Sequence, residues 1–298
     1  MRIRKAGKVA ENLWYLGRKE SGVYILEGRD GSVMLNGGIA LILPDVLEQM
    51  KTFRIDPGKI RKIVILHSHF DHVGIVPYFK RTWPAIEVCA SRRAWDILKM
   101  PKAVETANTF SGLVARHMGA EEALAGFDVD WRDDVSGTVL SEGDRIDLGT
   151  ATLTILETPG HSSCSITAYE PEMKVLFPSD AVGIPYKNTA FPSGNSDYTQ
   201  YQKNLERLKG LPVRYLCADH YGFVAGEEAE TFVDAAIEEA RKMRSEMASL
   251  FREKKDVDAA ARAMTDRFYE RSPDYFVSPD IMEGVFRQMV KHVAKGLS

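Results

Sequence analysis

The sequence predicts an α/β fold followed by an all-helical C-terminal extension. Short segments rich in β-branched residues and leucine alternate with helix-like stretches up to about residue 226, and no strand pattern follows Gly226. With 298 residues, of which 44% are hydrophobic and 27% charged, the chain can bury a sizeable core. We therefore expect one large α/β domain with a helical appendage.

The predicted strands are short and bounded by turn residues. Three of them open the chain as a meander with glycine-containing turns, and the fourth is a buried apolar run. The predicted strands are residues 12–17, 22–27, 32–35, 60–66, 87–90, 144–148, 151–157, 165–169, 174–177 and 213–217. Helices are predicted over residues 44–53, with proline near the start, and 198–209.

A helical insertion is predicted over residues 91–128. This stretch is rich in alanine, leucine, methionine and charged residues. Three glycines, Gly112, Gly119 and Gly126, are expected to divide it into two or three helices.

The C-terminal quarter is predicted to be entirely helical. Its apolar residues recur at steps of three and four, a pattern typical of amphipathic helices. We expect residues 1–226 to form the main domain and residues 227–298 the extension. The helices of the extension are predicted over residues 227–254, 257–269 and 280–294.

Charge and composition restrict the partners of the protein. The net charge of -3 and the pI of about 6.2 do not predict the basic surface that a nucleic-acid backbone requires. No apolar stretch is long enough to cross a bilayer, and no signal peptide is apparent. The three cysteines, Cys89, Cys164 and Cys217, lack the spacing of a zinc ribbon or disulfide scaffold. We expect a cytoplasmic protein that acts on a small molecule, with the C-terminal helices as candidates for a homodimer interface.

Histidines are concentrated directly after the apolar run Ile63-Val64-Ile65-Leu66. The chain continues His67-Ser68-His69-Phe70-Asp71-His72. Because strand side chains alternate, His67 and His69 are expected to point the same way, with Asp71 and His72 on the following turn. Imidazole and carboxylate donors in this density are typical of a site for divalent metals such as zinc or iron.

Four further donors follow the ends of other predicted strands. His161, after a Pro-Gly turn, is either a ligand or a turn residue, and Asp180 alone resembles a cap or turn residue more than a ligand. Asp219 either orients a neighbouring ligand or is a solvated carboxylate, and His220 alone is undecided. Open α/β sheets commonly bind ligands at such strand ends. His117 and His292 have no ligand-like neighbours and are expected at the surface or an interface.

The ordered set His-x-His-x-Asp-His, Gly-His, a lone Asp and a late His resembles the metallo-β-lactamase superfamily over residues 12–222. The resemblance implies an αββα four-layer sandwich of two mixed β-sheets, with residues 1–226 as the catalytic domain. It also implies that two divalent metal ions, zinc or alternatively iron or manganese, are held at one edge. The first ion would be bound by His67, His69 and His161, the second by Asp71, His72 and His220, with Asp180 bridging.

The resemblance further implies a hydrolase in which a hydroxide lies between the two metals, with Asp71 as the catalytic residue. Thioesters, esters and phosphodiesters are the expected substrate classes. The helical insertion and tail resemble those of thioesterase-like members. Flavin-linked di-iron oxidoreductases of the superfamily have a glutamate within this motif, so His69 argues against that branch. A regulatory protein with vestigial activity and a mononuclear iron dioxygenase for sulfur compounds remain alternatives.

Two residues depart from the family pattern. The family usually places an aspartate before a glycine at the end of its third strand, whereas Asn36 precedes Gly37 here. Cys164, three residues after His161, is either a buried small residue or a thiol near the metals.

Overall fold

The computed structural model describes residues 1–297, and its strands form two mixed seven-stranded β-sheets. The first sheet has the order β2-β3-β4-β5-β6-β7-β8 and the second β1-β14-β13-β12-β11-β10-β9. The strands are β1 (Arg2–Ile3), β2 (Gly7–Ala10), β3 (Leu13–Gly17), β4 (Gly22–Gly28), β5 (Gly31–Leu35), β6 (Ile60–Ile65), β7 (Glu87–Ser91), β8 (Gly137–Leu140), β9 (Arg145–Asp147), β10 (Thr152–Glu157), β11 (Ile166–Glu170), β12 (Val175–Phe177), β13 (Tyr215–Cys217) and β14 (Phe223–Ala225).

Strand direction follows from the connections. The meander β2 to β5 is antiparallel because short turns join its strands, whereas β5 to β8 are parallel and are joined by helical crossovers. The helices are α1 (Leu43–Phe53), α2 (Phe70–Val73), α3 (Val76–Thr82), α4 (Arg92–Leu98), α5 (Pro101–His117), α6 (Glu121–Leu124), α7 (Tyr198–Leu208), α8 (Glu227–Lys254), α9 (Val257–Arg271) and α10 (Pro279–Lys295), with 3-10 turns at Ala40–Ile42 and Pro57–Lys59.

Several helices begin at side chains that cap them. The Ser91 hydroxyl accepts the Ala94 N–H at the start of α4, directly after β7. Asp197 and Asp256 cap α7 and α9 in the same way. Such caps satisfy backbone donors that the first helical turn leaves unpaired.

Two apolar cores hold the sheets. One lies between the sheets, and the other lies between the first sheet and the helices on its outer face. The inter-sheet core includes Leu13, Tyr15, Tyr24, Leu26, Val33, Cys89, Leu153, Ile155, Ile166 and Cys217. The outer core includes Val46, Met50, Ile63, Phe79, Val88 and Trp95. Three consecutive residues of β6, Ile63, Val64 and Ile65, are buried, so both faces of this strand are covered here, which is why it is apolar.

The chain divides into two compact units. The first consists of Met1–Thr158, Cys164–Ser179 and Pro212–Glu230 and contains both sheets. The second consists of Pro159–Ser163, Asp180–Leu211 and Thr231–Ser298, and its described part is helices and loops, among them α7, α9 and α10.

The predicted fold class is confirmed: the chain is an αββα sandwich of two mixed sheets with an all-helical C-terminal extension. Between residues 227 and 297 the structure contains three helices and no strand. The division of the chain at residue 226 stays a prediction. None of the described helices is both long enough and apolar enough to span a membrane.

Some sequence expectations were wrong in detail. Residues 213–217 were expected to hold the last strand, but β14 follows, and β1, β2 and β8 were not predicted. Gly112 does not interrupt the insertion, because α5 runs through it. Asp71 and His72 lie in the single helical turn α2 rather than in a non-helical turn.

Candidate metal centre

The first histidine cluster begins where β6 ends in the first compact unit. His67 and His72 are fully buried, and His69 is the extended residue that precedes α2. The one-turn helix is held by the loop after β5, since the Gly37 N–H donates to the His72 carbonyl and the Gly74 N–H to the Gly38 carbonyl. These long-range backbone bonds explain why a local pattern did not predict α2.

Five predicted ligands come together in this unit. The ring centroids of His67 and His69 lie 4.6 Å apart, and those of His67 and His72 lie 4.0 Å apart. His220, which follows β13, brings its Nε2 to 3.1 Å from Nε2 of His72. The Asp71 carboxylate reaches His72 Nε2 at 3.7 Å through one oxygen and His220 Nε2 at 3.6 Å through the other.

The spacing of Asp71, His72 and His220 fits a metal ion. A tetrahedral ion with metal–ligand bonds of about 2.0–2.1 Å separates neighbouring ligand atoms by about 3.3 Å. The three atom pairs measured here lie 3.1 to 3.7 Å apart. Two imidazole nitrogens and one carboxylate, nearly all buried, form a donor set that suits zinc, iron or manganese.

Three of these histidines, His67, His72 and His220, each have Nδ1 at a hydrogen-bond partner. Nδ1 of His220 lies 2.6 Å from the Glu20 carbonyl, and Nδ1 of His72 lies 3.0 Å from the Asp219 carboxylate. Nδ1 of His67 lies 3.0 Å from the Ser179 hydroxyl. Such partners orient the ring and direct Nε2 toward a ligand position.

The second compact unit contains the remaining two predicted ligands. His161 and Asp180 are both buried, and His161 Nε2 lies 3.4 Å from an Asp180 carboxylate oxygen. Nδ1 of His161 donates to the Ser193 carbonyl at 2.6 Å, and the Ser193 hydroxyl donates to the Asp180 carbonyl at 2.8 Å. Ser193 therefore links the two ligands from the other side.

A buried phenol lies close to this pair. Burial raises the pKa of Tyr201 far above its usual range, and the Asp180 charge acts in the same direction. Tyr201 therefore keeps its proton at neutral pH.

The residues left open by the sequence are now placed. Asp219 is 1% exposed and bonded to His72, so it is an orienting group and not a solvated carboxylate. His117 is exposed, and His292 contacts Asp197 at 3.2 Å within the second unit. Cys164 is buried, with its sulfur 3.3 Å from the Ser68 hydroxyl.

Two site residues were not predicted. Ser179 and Ser193 each contact a predicted ligand, but serines have no metal-ligand spacing that a sequence pattern could reveal. In the structure, Ser179 adopts a left-handed conformation, with φ of 50°, directly before Asp180. How the seven predicted ligands are shared between two ions stays a prediction.

Comparison with known proteins identifies the family of this chain. A model of the metallo-beta-lactamase superfamily matches residues 17–220. The chain belongs to the metallo-beta-lactamase superfamily. The matched region ends at His220 and includes all seven predicted ligands.

Relatives of this superfamily member include acyl-coenzyme A thioesterase MBLAC2 from Gallus gallus, 25% identical over 231 residues, or 72% of this chain and 77% of the relative. The metallo-beta-lactamase fold-containing protein ST1585 from Sulfurisphaera tokodaii is 26% identical over 211 residues, or 68% of this chain and 73% of the relative. Among solved structures, the metallo-beta-lactamase family protein TTHA1429 from Thermus thermophilus has a TM-score of 0.67 at 16% identity, covering 97% of this chain and 95% of that one. The similarity in fold thus extends over nearly the whole chain.

Proposed function

We propose that this chain is a hydrolase that requires two divalent metal ions and cleaves small acyl thioesters. The observation that carries the proposal is the convergence of Asp71, His72 and His220 at metal-ligand spacing, beside the adjacent rings of His67 and His69. His161 and Asp180 complete the proposed ligand set. The ions would be zinc, or alternatively iron or manganese.

The chain's own residues would divide the work as follows. When bound, the metals would activate water as a nucleophile and polarise the scissile carbonyl. His67, His69 and His161 supply only neutral imidazoles to the first position, which preserves its positive charge. Asp71, whose side chain is 15% exposed while that of His72 is fully buried, can both bind at the second position and receive a proton from the reacting water.

An apolar surface beside the ligands favours an acyl substrate. Phe70 lies between His69 and Asp71 in sequence, and its ring packs edge to face with Phe110 of α5 at 5.6 Å. Both rings are only half-buried. An acyl chain can bind to such a surface, whereas the net charge of -3 does not favour a phosphodiester. The thioesterase relative supports the same substrate class.

The test combines metal analysis with a substrate panel. We expect about two metal ions per purified chain and hydrolysis of an acyl thioester faster than of the matching oxygen ester or of bis(p-nitrophenyl) phosphate, with activity lost on chelation. Asp71→Ala should lower the metal content to about one and kcat by about 10²- to 10⁴-fold. His117→Ala, at an exposed histidine of α5, is the matched control and should change neither.

Two outcomes would contradict the proposal. One is full thioester hydrolysis by the metal-free chain. The other is oxygen uptake with a persulfide substrate at one bound iron per chain, which would instead indicate the dioxygenase alternative.

A further inference from the structure

A buried carboxylate in the first compact unit receives hydrogen bonds from three side chains. One Asp219 oxygen accepts from the Asn36 amide, from the Ser179 hydroxyl and from His72 Nδ1, the last at 3.0 Å. Asp219 is 1% exposed, so these donors replace the water that would otherwise solvate it. Its own backbone carbonyl accepts from the Gly22 N–H at 2.8 Å.

The hydrogen positions in this network follow from the number of protons available. An ionised carboxylate only accepts, so the single proton of the Ser179 hydroxyl must point to Asp219. Toward His67, whose Nδ1 lies 3.0 Å away, the Ser179 oxygen can then act only as an acceptor. His67 therefore carries its proton on Nδ1.

His72 is determined in the same way. Its Nδ1 faces the Asp219 carboxylate directly and must donate, so the Nε2 lone pair is directed toward Asp71 and His220. The Asn36 amide supplies its two hydrogens to Ser179 and Asp219, while its carbonyl oxygen accepts the Leu66 N–H at 2.7 Å. The donor and the acceptor of each of these bonds are thus assigned.

We propose that Asp219 is a positioning residue that sets the tautomer of both His67 and His72, directly for His72 and through Ser179 for His67. The inference rests on the proposed metal site, because it concerns which ring nitrogen each histidine offers to a metal. One carboxylate would thereby act on a ligand of each proposed metal position. Removing its oxygen acceptor should weaken binding at both positions together.

The three bonds end on one Asp219 oxygen, so two substitutions at this position form a matched pair. Asp219→Ala removes the oxygen that His72, Ser179 and Asn36 share. Asp219→Asn keeps an oxygen that can accept from all three side chains, without the charge.

Tautomers are read by long-range ¹H–¹⁵N NMR of histidine-labelled, metal-free protein, and affinity by titration with Zn²⁺. We expect Nδ1-protonated His67 and His72 in the wild type. Asp219→Ala should lose this pattern and bind Zn²⁺ about 10- to 100-fold more weakly, whereas Asp219→Asn should keep the tautomers and bind Zn²⁺ more tightly than Asp219→Ala. Ser179→Gly, which suits the left-handed backbone at that position, should change the His67 signal and leave that of His72.

The control is Glu170→Gln, which neutralises another carboxylate at 1% exposure that accepts from the Met173 N–H. It should leave the tautomers and the affinity unchanged. Unaltered tautomers in Asp219→Ala, or an Asp219→Asn variant that loses them to the same extent, would overturn the inference while leaving the proposed hydrolase intact. Failure of the wild type to bind Zn²⁺ would instead refute the proposed function, and the tautomers of the metal-free protein would still decide the role of Asp219.

Discussion

Gly160 holds a backbone position that no other residue can take without displacement. Its φ is 143°, and a Cβ there would lie 2.5 Å from backbone atoms of Tyr201. The Gly160 carbonyl also accepts the N–H groups of Ser196 and Asp197 at 3.0 and 2.9 Å. The next residue is His161, so this close contact fixes the backbone position directly before a predicted ligand.

We expect Gly160→Ala to lower the free energy of unfolding by several kcal/mol, because an unfavourable φ and a backbone collision add together. It should also lower metal content. Gly210→Ala is the matched control: Gly210 has a φ of 89° with nothing near its would-be Cβ, so only the conformational cost of about 1 kcal/mol applies. Denaturant unfolding and elemental analysis measure both effects. Equal losses in the two variants would refute the role of the contact.

At the scale of elements, an aromatic cluster (Tyr186, Phe191, Phe268, Tyr275 and Phe286) joins a loop to α9 and α10 within the second compact unit. Phe268 of α9 lies 5.0 Å from Phe191 and 4.9 Å from Tyr275, measured between ring centroids. Phe191 also pairs with Ile184 through two backbone hydrogen bonds. Ser193, which bonds both His161 and Asp180, follows two residues later, so the cluster fixes the loop that supports these ligands.

Phe268→Ala should therefore increase amide hydrogen exchange over residues 184–197 and lower the free energy of unfolding by about 2 kcal/mol, since Phe268 is only half-buried. Phe127→Ala is the matched control, as Phe127 is also half-buried but packs on Tyr78 in the first unit. It should destabilise the protein without faster exchange over residues 184–197. Unchanged exchange there in Phe268→Ala would contradict the role given to the cluster.

The elements that the sequence predicted correctly are those whose burial can be inferred from their own residues. The strand around Ile63 and the helices after residue 226 have continuous or periodic apolar positions and were found within a few residues of their predicted ends. The unpredicted strands are short, and most are defined by their pairing with other strands. In the second sheet, Arg2 of β1 pairs with Val224 of β14, although the matched region, residues 17–220, separates them in sequence. A local pattern contains no information about such a partner.

The candidate site shows the same division. Its candidate ligands could be proposed from the sequence because the dense run His67-Ser68-His69-Phe70-Asp71-His72 after a buried strand is typical of metal sites. The sequence left two roles open for Asp219, because its partners Asn36, His72 and Ser179 are distant in sequence. Orientation by hydrogen bonding depends on the assembled sheets.

At the scale of the whole molecule, the inter-sheet core contains ionisable side chains that are buried in their neutral forms. Burial raises the pKa values of Tyr15, Tyr24, Cys89 and Cys217, and for Tyr15, Tyr24 and Cys217 the Asp219 charge adds to this effect. For Cys89 the pKa rises from its ordinary value of 9.0 to about 11. The unfolded chain therefore loses these protons at lower pH than the folded chain does. The contribution of Cys89 to stability is fully present below its unfolded pKa of 9.0 and is lost as the pH rises through its folded pKa of about 11. The tyrosines and Cys217 follow the same rule with higher folded pKa values.

Unfolding free energies of the metal-free protein between pH 7 and pH 11 test this dependence. We expect a decline that begins near pH 9, to which Cys89 contributes up to about 1.4 kcal/mol per pH unit until the pH reaches its folded pKa of about 11. Cys89→Ala should make the decline between pH 9 and pH 11 shallower by that amount, because alanine has no proton to lose. Val33→Ala, in the same core, is the control and should lower stability equally at every pH. If Cys89→Ala and the wild type decline in parallel, Cys89 does not titrate in the unfolded chain alone, and the alkaline sensitivity of the sandwich must arise from the tyrosines and Cys217.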